Sequence, residues 1–148
     1  MPHDFKNFPE LTNRQMQVYY FQSPHKQITE NFRARVVKVT DGDTIRVVWD
    51  ERNFSFPIRI VNLAAPEMDE RGGKESQSWL EHLIFGKDVD VIVSKERVEK
   101  WGRLLADVMT AGILISEESV RAGRGVAWEE RGLSIIPNFD LTLEAAAI

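Results

Sequence analysis

Between Arg33 and Asn62 the chain carries three runs of β-branched and aromatic residues separated only by turn residues, and no other feature constrains the fold as strongly. Val36, Val37 and Val39 lead into Asp41-Gly42, Ile45, Val47 and Trp49 alternate on the return, and Asp50-Glu51-Arg52-Asn53 makes a second turn before Phe54 to Asn62. Connections this short join antiparallel neighbours, so the spacing predicts three consecutive antiparallel strands. At Asp41-Gly42 the glycine is expected to serve a turn through its tolerance of positive φ, with the aspartate bonding to nearby backbone.

Beyond a polar loop from Pro66 to Gly73, Trp79, Leu80, Leu83 and Ile84 recur at helical spacing and predict a helix over Lys74 to Phe85, with Gly86 at its C-terminal cap. Val89, Val91 and Val93 alternate as a fourth strand, and Arg103 to Met109 forms a fifth that turns through Ala111-Gly112. Ser116 is expected to cap a last helix, with Glu117 and Glu118 at its positive end and a stop near Gly123. Five strands and a helix suggest a small barrel.

Residues 1–32 read as an N-terminal extension and 33–148 as the folded domain. Thr12-Asn13 can cap a short helix through Phe21 that ends at Ser23-Pro24. The aromatics Phe5, Phe8, Tyr19, Tyr20 and Phe21 either dock on the domain's own surface or present a protein-partner-binding arm, and the sequence leaves both open. The extension has no clustered basic charge, so it is expected to be dispensable for chemistry placed on the barrel.

With 148 residues, 43% of them hydrophobic, the chain fits one globular domain with a real core. There is no cysteine, which excludes disulfides, thiolate zinc sites and thiol nucleophiles. No run has the apolar length to cross a bilayer, and Met1-Pro2-His3-Asp4-Phe5-Lys6 lacks the pattern of a signal peptide, so the expectation is a cytoplasmic protein with no membrane partner. A net charge of −4 argues against tight sequence-independent grip on a polyanion, since such affinity comes from Lys and Arg neutralising phosphates. Catalysis needs only a local cluster of charge.

Such a cluster is present in the order of the charged residues. Asp43 begins the return strand after Asp41-Gly42, Arg59 lies inside the apolar run Ile58 to Leu63, Glu67 follows the stiff exit Ala64-Ala65-Pro66, and Arg103 follows Trp101-Gly102. Each has a bland reading: a solvated strand-end acid, an arginine on the wet side of a strand or in an ion pair, a loop acid, and a strand-start arginine beside a core tryptophan. Taken together, two carboxylates and two guanidiniums suit phosphodiester hydrolysis, in which carboxylates hold a hard cation and a water while forked donors hold the phosphate. Trp101 adds a flat face on which a base can stack.

The order and spacing of Thr40-Asp41-Gly42-Asp43-Thr44, Ile58-Arg59 to Pro66-Glu67 and Glu99-Lys100-Trp101-Gly102-Arg103 resemble the staphylococcal nuclease (thermonuclease) family over residues 34–128. The resemblance implies a mainly β fold with α-helices: an oligonucleotide-binding (OB) five-stranded antiparallel barrel with two or three packed helices. It implies a Ca²⁺-dependent endonuclease, a hydrolase cutting DNA or RNA with little sequence specificity and with single strands as favoured substrate. Asp43 matches a Ca²⁺-binding carboxylate, Asp41 an accessory one, and Ala65 a backbone-carbonyl ligand. Arg59 and Arg103 match the phosphate-clamping arginines, Glu67 the carboxylate that activates or orients water, and Lys100 and Trp101 substrate-binding positions. Ala64 stands where the family usually has a metal-binding Asp, which removes a ligand that Asp41, Asp69 or water would have to replace. That departure keeps an alternative in view, a catalytically degenerate nuclease fold that binds nucleic acid or a protein.

Overall fold

The computed structural model describes residues 2–128. Strands β1 (Phe32–Asp41), β2 (Thr44–Val48) and β3 (Phe56–Ile60) form the expected meander, followed by helix α2 (Gly73–Ile84), β4 (Asp88–Val98), β5 (Leu104–Thr110), a two-residue β6 (Ile113–Leu114) and helix α3 (Ile115–Arg121). Helix α1 (Asn13–Tyr19) precedes them, continued by a 3₁₀ turn through Gln22. Its start is a capping box: Thr12 Oγ1 accepts from Gln15 N at 3.1 Å, and Gln15 Oε1 accepts from Thr12 N at 3.0 Å.

The sheet runs β3-β2-β1-β4-β5-β6 and closes into an OB-type barrel where β3 pairs with β5. That seam is parallel, with Ile58 beside Leu104 and Ile60 beside Ala106, and every other pairing is antiparallel. The parallel direction follows from connectivity, because the chain leaves β3, crosses through α2 and β4, and returns along β3 in the same sense. Ile45, Val47, Phe56, Ile58 and Ile60 point inward with Val36, Val91, Leu104 and Val108, and Leu80 and Ile84 of α2 complete the core. The alternation leaves Thr44, Arg46, Pro57 and Arg59 on the barrel's outer face.

Three local expectations change, and one turn is found where it was expected. Gly42 is not in the positive-φ region; a Cβ there would lie 2.6 Å from the Ala65 Cβ and 2.8 Å from the Ser76 Cβ, so it is required by close approach. Strand β4 continues five residues past Val93 through a register shift at which Arg97 adopts φ 63°. The turn after β5 has positive φ at both Ala111 (49°) and Gly112 (77°), the signature of a type I′ hairpin.

The third change concerns Ser116, which does not cap α3. Its hydroxyl donates to Asp107 Oδ2, while Asp107 Oδ1 accepts from Val108 N (2.8 Å) and Ser116 N (3.2 Å). Burial raises the Asp107 pKa against the pull of these bonds. An acid whose pKa rises on folding contributes its stability below the unfolded value and loses it as pH climbs through the folded one. Asp107→Asn keeps an oxygen for the two N–H donors and an amide for the Ser116 oxygen. Its melting temperature is therefore expected to gain on wild type as pH rises above the ordinary carboxylate pKa of about 4, as read by thermal scans across pH.

The N-terminal extension is stitched to the barrel. Leu11 and Ile28 are buried, Phe8 packs against Gly102, and Phe5 stands edge-on to His25. Tyr20 and Phe21 remain exposed. Among the described residues, no helix is long and apolar enough to cross a membrane.

Candidate active site

The β1–β2 turn, the outer face of β3, the loop after β3 and the β4–β5 turn meet at one end of the barrel around an open cleft of about 600 Å³. Asp41, Asp43, Arg59, Glu67, Lys100, Trp101 and Arg103 all line it. Asp43 is fixed first. Its carbonyl accepts from Ile60 N at 2.8 Å, and its amide donates to Asp41 Oδ1 at 3.1 Å. Its own carboxylate takes Ala65 N at 2.9 Å and the Thr44 hydroxyl at 3.3 Å, and pairs with Arg59 Nη2 at 3.2 Å.

Arg59, outward on β3, is the ion-paired arginine of the two bland alternatives, and it is held as well as paired. Its Nη1 donates to the carbonyls of Ile60 (2.6 Å) and Leu63 (2.8 Å), and its guanidinium lies 5.8 Å from the Trp128 ring. Arg103 is clasped by Glu99 through Nε (2.5 Å) and Nη2 (3.1 Å), and its Nη1 reaches Thr44 Oγ1 at 3.3 Å. The Glu99 bonds raise the Arg103 pKa. Thr44 thereby links Asp43 to Arg103 across the cleft.

Glu67 is exposed, and its carboxylate makes no hydrogen bond or ion pair with another described residue. Its backbone N donates to Glu70 Oε1 at 2.7 Å, and α2 begins directly against it. A Cβ at Gly73 would fall 1.8 Å from the Glu67 carbonyl oxygen, so only glycine lets the helix start there. Gly73→Ala is expected to cost about 1–3 kcal/mol by overpacking and to displace Glu67. Thermal melting reads the first effect and turnover the second.

Burial pushes the Asp43 pKa up to about 7, with Arg59 opposing the rise and the neighbouring Asp41 carboxylate adding to it. Two crowded carboxylates at the mouth of a cleft favour a cation beside them. The donor chemistry fits a hard divalent ion: carboxylate oxygens of Asp41 and Asp43, with Ala65 on the adjoining loop. The fit is sparse, since among the described residues no group of three or more His, Cys, Asp or Glu is arranged to hold a metal. Ala64 adds no side-chain oxygen, and its backbone N and O are both spent on Val126 at 2.8 and 2.9 Å.

A family model described as staphylococcal nuclease homologue matches residues 57–137, more than half of the chain and including Arg59, Glu67 and Arg103. The chain belongs to the staphylococcal nuclease family. Over 101 residues it is 36% identical to an uncharacterized endonuclease of Escherichia coli O157:H7, a match covering 68% of this chain and 63% of that protein. It is 31% identical over 108 residues to an uncharacterized endonuclease of Haemophilus influenzae, covering 73% and 58% respectively. To a micrococcal nuclease of Shigella flexneri it is 28% identical over 109 residues, covering 68% and 60%. The chain thus spans about three fifths of the length of the curated relatives it matches.

Three residues of this nuclease-family cleft carry roles that the sequence did not assign. Glu99 stands four before Arg103 across a turn closed by Gly102 N to Glu99 O (2.9 Å) and Glu99 N to Arg103 O (2.9 Å), a spacing that could have suggested the pair. Thr44 was visible only as part of its motif. Trp128 is brought in from beyond α3 by the Ala64–Val126 bridge and by its own Nε1 bond to Leu63 O (2.8 Å), a contact with no local signal.

Proposed function

We propose that this protein is a Ca²⁺-dependent nuclease that hydrolyses phosphodiester bonds of single-stranded DNA or RNA with little sequence preference. The observation that carries the proposal is the meeting of Asp43, Arg59, Glu67 and Arg103, from four separate segments, in one cleft with a two-thirds-exposed tryptophan beside it (Trp101, 65% exposed). The E. coli and H. influenzae relatives named as endonucleases favour the same chemistry.

Asp43 and Asp41, with the Ala65 carbonyl, would hold Ca²⁺, which when bound supplies positive charge against a nonbridging phosphate oxygen. Glu67, free of protein partners among the described residues, orients a water and accepts its proton as the water oxygen attacks phosphorus. Arg59 presents its fork to the oxygens that gain charge in the transition state. Arg103 joins it by exchanging Glu99 for phosphate, an exchange between two anions on one guanidinium. The bond from phosphorus to the 5′ oxygen breaks with its electron pair going to that oxygen, which takes a proton from solvent to leave as a 5′-hydroxyl, and the other product is a 3′-phosphate by likeness to the family. Trp101 stacks a base, with the Lys100 ammonium 5.1 Å from its ring available to the strand's phosphates. Nothing in this set reads base edges, which accounts for the absence of sequence preference.

A gel assay of single-stranded DNA with Ca²⁺ or EDTA tests the proposal: cleavage in Ca²⁺ and none in EDTA is expected, and binding without cleavage in both would favour a degenerate fold. Ligand counting gives a further expectation. Ala64→Asp should tighten Ca²⁺ binding and raise activity, because a hard ion gains a charged oxygen. Calorimetric titration of both forms reads the affinity directly, and an unchanged value means that another group already fills that position.

A further inference from the structure

Nearly every strand-face arginine of this acidic chain is neutralised. Arg33 pairs with Asp90, Arg35 with Asp88, Arg59 with Asp43 and Arg103 with Glu99. Arg46 is the contrast. Its Nε and Nη2 are steadied by Ser55 Oγ (2.9 Å) and Ser55 O (3.3 Å), and among the described residues no carboxylate pairs with it. It opens into a groove of about 680 Å³ between the N-terminal arm and the β2–β3 face, where, among the described residues, Lys6 is a second cation without an acidic partner and no Asp or Glu contributes to the lining. Phe5, His25 and Phe54 build the groove's aromatic wall, with ring centroids 6.1 and 5.1 Å apart, and His25 is tied to Pro9 O at 2.8 Å.

The groove lies on the same outer face as the cleft. Thr44, which bonds both Asp43 and Arg103, pairs with Arg59, and two residues along β2 Arg46 pairs with Pro57. Residues two apart share a face and stand about 7 Å apart along the strand. Cations without acidic partners beside aromatic rings are the composition that tracks a single strand, phosphates on the cations and bases on the rings. We infer that the groove lined by Phe5, Lys6, Arg46 and Phe54 is a second nucleic-acid subsite, which takes the single strand as it runs on from the active-site cleft.

This inference rests on the proposed nuclease function but is tested without turnover. Full-length protein is titrated in EDTA with a fluorescein-labelled oligothymidylate about a dozen nucleotides long, within the site sizes usual for this fold, over a range of salt. The Lys6→Gln/Arg46→Gln variant, folded by circular dichroism, is expected to bind roughly tenfold more weakly and to lose about 1.4 from the salt slope, ~0.7 for each phosphate contact removed. Its Ca²⁺-dependent cleavage of a dinucleotide, too short to reach the groove, stays at the wild-type rate. Wild-type affinity and slope in the variant overturn the subsite. So does an equal loss in the control Lys74→Gln/Lys87→Gln, which would mean a diffuse charge effect, and so does wild-type binding of poly-glutamate but not of oligothymidylate. If the wild type binds the strand with the expected dependence on Lys6 and Arg46 yet never cleaves, the subsite stands and the catalytic proposal falls.

Discussion

Glu10→Ala is expected to lower the melting temperature by about 10 °C or more. Glu10 is almost wholly buried, with Arg52 on one carboxylate oxygen and Arg97 Nη2 3.4 Å from the other. Burial lowers the pKa of both arginines, and Glu10 opposes that shift in each. Arg52 also lies under Trp49, Phe54 and Phe56, its guanidinium carbon 4.6 Å from the Phe56 centroid, with Nε and Nη1 left to the rings. Arg97, held in a left-handed conformation, donates to Ile28 O (2.6 Å) and Leu11 O (2.9 Å). Removing the one acid strands two buried cations, which costs about 3–5 kcal/mol when a buried pair loses a partner. The exposed Lys26–Glu51 pair is the comparison, and Glu51→Ala should leave the melting curve in place. A Glu10→Ala curve that overlays the wild type would mean the network carries little of the fold. By the same reasoning, deleting residues 1–32 removes Leu11, Ile28 and Glu10 at once. That deletion is expected to fail to fold, contrary to the dispensability the sequence suggested.

What the sequence disclosed and what it concealed divide along local and non-local interactions. The meander, α2 and the β5–β6 turn were legible because side-chain alternation and turn residues act over a few positions. The parallel β3–β5 seam was not, since nothing in Ile58-Arg59-Ile60 marks Leu104-Leu105-Ala106 as its neighbour. Ser94-Lys95-Glu96 reads as the polar end of a strand, yet β4 continues through them because the register shift turns Arg97 beneath the arm. Glu10 and Arg52 likewise look like a loop acid and a turn base, and only packing between segments 42 positions apart makes them a buried pair. In the cleft, Asp43, Arg59, Glu67 and Arg103 were legible as a set because their spacing resembles one family. Glu99 and Thr44 stood inside the quoted motifs without roles, for their partners lie across a turn and across the barrel seam.

Arg59→Ala should reduce turnover by about 100-fold or more, the usual consequence of removing a donor aimed at charge that develops in the transition state. The same substitution leaves the largely buried Asp43 carboxylate without its guanidinium and frees the Ile60 and Leu63 carbonyls, so a fall in stability is expected alongside. Arg59→Lys separates the two effects. An ammonium can keep a charge near Asp43 but cannot hold two carbonyls, a carboxylate and a phosphate with one planar fork, so stability should recover more than activity. Arg103→Ala offers the cleaner catalytic test, because Arg103 is about a third exposed and, among the described residues, its guanidinium holds side chains but no backbone carbonyl. It should lose turnover by a similar factor with a smaller change in melting temperature. If both purified, folded alanine variants cut single-stranded DNA at the wild-type rate, neither arginine clamps the phosphate. Loss in Arg59→Ala alone would mean that Glu99 keeps Arg103 for structure and that Arg59 carries the clamp by itself.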